Sequence, residues 1–182
     1  VAIDANNDVW TGGLSNQAHE KLDGITGQPV GGTQFNIGGG GYGGFVDSAG
    51  ILWSSRGGSG LIRFDPTSMT GSALGNGCGD YGLGIDPLTG NVWHSGLFTG
   101  TTSVRAPNGT CLAAYPHGNS GAQGVCVDGS SNVWVAHSLL AGYTTVGHLR
   151  TDGTFVGNVP LPGGSVPTGV AVDSNGKIWV AC

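Results

Sequence analysis

The sequence predicts an all-β chain folded as a β-propeller, and three observations carry that prediction. Five times a short apolar segment ends in Asp, turns, and returns as a second segment carrying Trp: Asp4 and Trp10, Asp47 and Trp53, Asp86 and Trp93, Asp128 and Trp134, Asp173 and Trp179. The tryptophans follow one another at 43, 40, 41 and 45 residues, and all five in the chain sit at this one position. A period near 40 with strand–turn–strand content marks a propeller of four-stranded antiparallel blades. About four and a half blades are in view: 1–43, 44–81, 82–123, 124–168 and a half blade at 169–182, in one propeller domain over 1–182. The chain enters inside one blade strand and leaves after another. The expectation is part of a larger wheel of six to eight blades, or a ring completed by further sequence or by another chain.

The unit after Gly124 shows each element in order. Gly124 to Asp128 reads as the innermost strand, a. Gly129 to Asn132 is a tight polar turn into strand b, Val133 to Ala136. A loop from His137 leads to strand c, Val146 to Thr151, and Asp152-Gly153 is a strong hairpin signal into strand d, Thr154 to Leu161. The same c–d hairpin is expected at Asp23-Gly24, Asp65-Pro66 and Asn108-Gly109. A basic residue precedes each turn, Lys21, Arg63, Arg105 and Arg150, and reads as one repeat position on strand c with its head near an acid. The repeated aspartates are placed to accept backbone N–H groups in the a–b turn. Asp4 to Asp8 and Asp173 to Gly176 resemble calcium loops only faintly, for they lack the full ligand ladder and its closing Glu.

Composition narrows the function classes. Glycine is 38 of 182 residues, yet regularly placed Val, Ile, Leu and Trp argue for a packed core rather than disorder. Six basic residues and a net charge of −5 leave nothing to clamp a phosphate backbone, so nucleic acid is excluded as a partner. No apolar run is long enough for membrane insertion. Low charge with abundant Gly, Ser, Thr and Asn fits an extracellular, cell-surface or periplasmic protein. Cys78, Cys111, Cys126 and Cys182 follow no metal or haem spacing, and an even count allows two disulfides in any of three pairings. Cys126 occupies the slot of Ala2 and Ala171 and reads as a small interior residue. Asn108-Gly109-Thr110 matches a glycosylation sequon but is first of all a hairpin turn.

The repeat, at its clearest from Gly169 to Ala181, resembles the NHL-repeat propellers and, within them, the streptogramin B lyase-like group. The resemblance spans essentially the whole chain and implies the fold. It also implies a catalytic His before the strand-a Gly and a Glu three residues after the strand-b Trp. The first slot holds Gly43, Tyr81, Gln123 and Thr168, and the second Gly13, Arg56, Gly96, His137 and Cys182, so neither catalytic residue is present in the repeats in view.

With repeat positions set aside, one loop face keeps Arg56, Asp80, Tyr81, His94, His117 and His137 as candidate channel-face binding residues. His94, His117 and His137 are the candidate ligands for a divalent metal, since imidazole is a common metal ligand and Asp80 is the nearby carboxylate. Cys78 or Cys182 beside a histidine is a conceivable nucleophile, and a disulfide is the simpler use of either. His19 and His148 receive no role. The function expected is a non-catalytic exported module that binds a protein or glycan partner, or serves adhesion or structure. The alternative is a lyase- or lactonase-type enzyme with a divalent metal on the channel face.

Overall fold

The computed structural model describes every residue except 58–60, 76–77, 80 and 139–142. The chain is all-β and has propeller architecture: each repeat forms its own antiparallel meander, and neighbours in each sheet are neighbours in sequence. It divides into two compact units, Val1–Asn76 and Gly77–Cys182.

The first unit opens with β1 (Ala2–Ile3), β2 (Val9–Gly12) and β3 (His19–Leu22), followed by a four-stranded blade of β4 (Gly43–Val46), β5 (Leu52–Ser55), β6 (Leu61–Asp65) and β7 (Thr70–Leu74). Its core joins Ala2, Trp10, Leu52 and Phe64, with Phe35, Ile37 and Val46 packed on it. The expected hairpin at Asp23-Gly24 does not build a fourth strand. The returning segment makes only isolated bridges, Leu22 to Pro29 and His19 to Phe35. Pro29 has no N–H to give a ladder, and the glycines at 31–32 and 38–41 supply no side chains to pack. Phe35 nonetheless reaches the core and stacks on Phe64 at 3.5 Å between ring centres.

The second unit holds two four-stranded blades and a two-stranded sheet. The first blade is β8 (Leu83–Ile85), β9 (Val92–Ser95), β10 (Thr101–Arg105) and β11 (Cys111–Pro116). The next is β12 (Ala122–Val127), β13 (Asn132–His137), β14 (Thr145–Arg150) and β15 (Phe155–Pro160). The half blade is β16 (Gly169–Val172) and β17 (Ile178–Ala181). One core runs through Trp93, Val104, Ala122, Val125, Val127, Val133, Val135 and Leu149. The inner strands approach closely at glycine: a Cβ on Gly124 would lie 2.9 Å from the Gly169 Cα and from the Val170 nitrogen. A disulfide joins Cys78 to Cys111 on β11, so Cys78 is no free nucleophile. Cys126 is buried with its thiol pushed up to about 12, first by burial and then by the Asp128 charge. Cys182 is exposed and unpaired.

The Asp–Trp repeat is a hydrogen-bonded clamp. One carboxylate oxygen of Asp47 accepts from the Ala49 and Ile51 amides at 2.9 and 3.0 Å, and the other accepts from the Trp53 indole at 2.9 Å. Asp128 repeats this with Ser130, Asn132 and Trp134, and Asp173 with Asn175, Lys177 and Trp179. Two blades depart from it. Between Asp86 and Trp93 the spacing is seven residues instead of six. There the Thr89 hydroxyl donates to Asp86 at 2.6 Å, and the Trp93 indole N–H has no partner among the described residues. In the first blade Lys21 takes the carboxylate instead, 3.3 Å from Asp4 and 2.8 Å from Asp8.

Register corrects one sequence expectation. Lys21 and Arg63 do lie directly across from Trp10 and Trp53. Arg105, however, faces Val92, and Arg150 faces Asn132. The four basic residues are therefore not one position. Counting back from a turn misplaces them because the blade with the longer a–b turn and the blade of β12–β15 enter strand c in different registers.

Candidate functional site

The candidate residues distribute over both units. Arg56 follows β5 in the first unit. With the Gln17 amide turned so that its oxygen faces Arg56, that oxygen accepts from the guanidinium Nε at 3.1 Å. Tyr81 stands ahead of β8, half-buried, with its backbone N–H bonded to the Ser95 carbonyl. Asp80 lies outside the described residues.

Of the three histidines, the fold brings two together. His137 ends β13, and His117 follows β11 in the crossover toward β12. His137 Nε2 and His117 Nδ1 are 3.0 Å apart, and the rings stack at 4.7 Å. Asn119 Nδ2 lies 3.3 Å from His137 Nδ1, and Thr145 Oγ1 lies 3.1 Å from the same atom. An amide NH₂ only donates, so His137 Nδ1 accepts and the proton sits on Nε2. In this tautomer Nε2–H donates to His117 Nδ1, and the His117 proton sits on Nε2, which is buried and has no hydrogen bond of good geometry among the described residues. Both rings are enclosed, at 1% and 0% exposure. Burial, then the neighbouring imidazole, pulls His137 down to about 4, and burial lowers His117 as well. The pair is neutral at neutral pH and shut off from solvent. It acts as a polar strut that ties the crossover to the blade.

His94 stands apart from that pair. It lies within β9 rather than in a loop, across from Leu83 and Ser103, and is fully buried. Neither ring nitrogen has a hydrogen bond of good geometry among the described residues, and Gly79 covers its Nδ1 side. Burial, with the Arg105 charge adding to it, holds His94 down to about 3. Among the described residues no group of three or more His, Cys, Asp or Glu side chains comes together to hold a metal ion. Among the described residues no third such ligand stands beside the two-histidine pair, whereas a catalytic zinc takes three protein ligands and an open position.

Several polar residues that sequence reading passed over do structural work here. His19, given no role, is buried, bonds Ser54 through Nε2 at 3.0 Å, and stacks on Phe35 at 4.8 Å. His148 stacks on Trp134 at 4.1 Å. Ser95 accepts from the Gly82 N–H at 2.8 Å and donates to the Gln123 carbonyl, linking two blades. The one available signal was the run of small polar residues just after the strand-b Trp, at Ser54-Ser55, Ser95 and Ser138.

Solved structures supply the comparison. A streptogramin B lyase superposes with a TM-score of 0.81 at 16% identity, over 98% of this chain and 60% of that one. The chain has the streptogramin B lyase fold. Virginiamycin B lyase from Staphylococcus aureus matches at 0.80 and 13% identity, again over 98% and 60%. A chain of a mitotic checkpoint complex reaches 0.78 at 14% identity, over 99% of this chain and 57% of its own. This lyase-fold chain thus spans about 60% of the length of the lyases it superposes on. No family model matches the sequence, and no curated protein matches it either. At such identities the shared property is the fold, and chemistry rests on this chain's own side chains.

Proposed function

We propose that this chain is a non-catalytic β-propeller module of an exported protein, serving binding or structure. One observation carries the reading: the histidines of the candidate face are buried and engaged with one another or enclosed by backbone. A general base must reach the proton it removes within about 3 Å, and these rings meet no solvent from which a substrate could come. The lyase-like His and Glu slots are filled by other residues in every repeat in view. The Cys78–Cys111 disulfide supports export, because such bonds persist in oxidising compartments. Exposed aromatic residues at Tyr42 and Phe98 are suited to a protein or glycan partner.

A related solved structure holds a catalytically inactive virginiamycin B lyase with quinupristin, which supplies the test compound. Incubated with quinupristin and Mg²⁺, Mn²⁺ or Zn²⁺, the protein is expected to leave the compound's mass and amount unchanged, as in a matched sample with chelator. Metal-dependent consumption, together with stoichiometric metal after dialysis, would establish the enzyme reading instead.

A further inference from the structure

The loop end of the first unit gathers one cation, one amide and one exposed ring. Arg56 directly follows β5, and Tyr42 directly precedes β4. Gly43 pairs with Ser55, and the Tyr42 N–H donates to the Ser55 carbonyl at 2.9 Å. Tyr42 and Arg56 therefore stand side by side where the β4–β5 ladder ends. The loop of residues 13–17 closes on them from the preceding blade: a Cβ on Gly41 would come 2.5 Å from the Gly13 carbonyl oxygen. Gln17, held at a φ of 57°, turns its amide oxygen to the Arg56 guanidinium. The Tyr42 ring lies against Gly57, where a Cβ would be 3.5 Å from Tyr42 Cγ, yet the residue stays 49% exposed.

Arg56 differs from the other cations of this unit. Lys21 is taken by Asp4 and Asp8, and Arg63 lies over the Trp53 ring. Arg56 meets a neutral amide, and among the described residues no carboxylate lies within ion-pair distance of it. A guanidinium carries more N–H donors than one amide oxygen can accept. Gln17 thus steadies the head and leaves donors and charge for a ligand. The unit's aspartates, Asp4, Asp8, Asp23, Asp47 and Asp65, close the a–b and c–d turns at the other end of the strands, and its remaining acid, Glu20, lies within β3. Arg56 therefore selects for an anion.

We propose that Arg56, Tyr42 and Gln17 form a subsite for a hexuronate residue of an acidic glycan, with the carboxylate on Arg56 and the C–H face of the sugar on Tyr42. The inference rests on the binding-module reading and names its ligand class. The planar fork of a guanidinium matches both oxygens of a carboxylate. The C–H face of a pyranose is apolar and gains dispersion contacts across a flat aromatic ring. A uronate joins its carboxylate directly to that ring, so one residue reaches two neighbouring side chains. An acidic peptide fits less well. Its carboxylates sit on flexible stems, offer no ring face to Tyr42, and in number call for more than one cation.

Trimers of galacturonate, glucuronate and mannuronate, each beside its methyl ester, serve as probes in titration calorimetry. At least one trimer is expected to bind saturably, and its ester about tenfold or more weakly, the loss of one charge-assisted contact. Arg56→Gln should show a similar loss. Arg56→Lys should not restore the affinity, because an ammonium lacks the fork. Tyr42→Ala should weaken binding, and Tyr42→Phe should retain most of it. An unchanged thermal midpoint identifies the variants that fold, and the ester comparison on the unaltered protein decides the matter without them. No saturable binding by any trimer, or variants that bind as the parent does, overturns the proposal. Ester binding as tight as acid binding overturns it too, while leaving the binding-module reading in place. Shortened trimers recovered after incubation would leave the subsite standing and overturn the non-catalytic reading instead.

Discussion

Asp47 and Trp53 show how much one pair of side chains settles in this fold. The carboxylate closes two turn amides and fixes the indole, and the guanidinium of Arg63 lies over the ring. Trp93 occupies the same repeat position, equally buried, yet its N–H finds no partner among the described residues because one added residue displaces Asp86. The same substitution should therefore have unequal effects at the two sites. Trp53→Phe leaves a half-buried carboxylate oxygen short of its indole donor, whereas Trp93→Phe removes an N–H that had no partner among the described residues. Trp53→Phe is expected to be the more destabilising by about 1 kcal/mol, the net worth of the hydrogen bond it loses. Urea denaturation of both variants beside the parent measures the gap, and equal effects would contradict the clamp.

At the scale of elements, blades are held by close backbone approach and by one covalent tie. A methyl group at Gly124 would press on the backbone of Gly169 and Val170, while one at Gly129 would meet nothing within 4 Å. Gly124→Ala is expected to cost about 1–3 kcal/mol through overpacking. Gly129→Ala should be neutral or slightly stabilising, since it narrows the unfolded ensemble. Thermal melts of the two variants test this contrast. The Cys78–Cys111 disulfide closes a span of 33 residues and pins the segment before β8 to the outer strand of the same blade. Its removal, by reductant or by Cys78→Ser with Cys111→Ser, should cost about 2–4 kcal/mol. Calorimetry with and without reductant should show the midpoint falling by on the order of 10 °C or more, given roughly 4–8 °C per kcal/mol for a unit of this size.

For the whole molecule, the buried histidines set the response to acid. His19, His94, His117 and His137 are all buried and all titrate below the ordinary histidine range, with burial the leading cause. The unfolded chain takes up these protons near pH 6.5, and the folded chain resists. Their contribution is thus complete above about pH 7 and is lost as pH falls, down to about 4 for His137 and about 3 for His94. Each such proton tilts stability by ~1.4 kcal/mol per pH unit within its window. Aspartates such as Asp65 and Asp173, lowered by turn N–H and indole hydrogen bonds, act in the same direction only below the ordinary carboxylate range. The urea midpoint should hold level from pH 8 to 7 and decline steadily to pH 4.5, less steeply in His137→Gln. A level midpoint across that whole range would show that these rings are not held neutral by burial.

Period and residue type were enough to read the propeller from sequence, because a blade is built of local hairpins whose turns and apolar alternation are written in adjacent residues. Asp47, Asp128 and Asp173 were legible as turn acceptors for the same reason. Their indole partners were visible as a recurring Trp, though the bond between them was not. What lay beyond the sequence depends on register and depth. One residue inserted before Trp93, or a different entry into β14, moves a basic side chain from the tryptophan to another neighbour. Proline and glycine between Pro29 and Gly41 reduced an expected strand to two bridges. His94, His117 and His137 looked like loop ligands because sequence carries no measure of burial. Only the tertiary structure decided that two of them face each other inside the blade and that the third is enclosed. Sequence alone determined the repeat, because hairpin geometry is local. The tertiary structure decided which repeated side chains are covered, because covering a side chain depends on strands far from it along the chain.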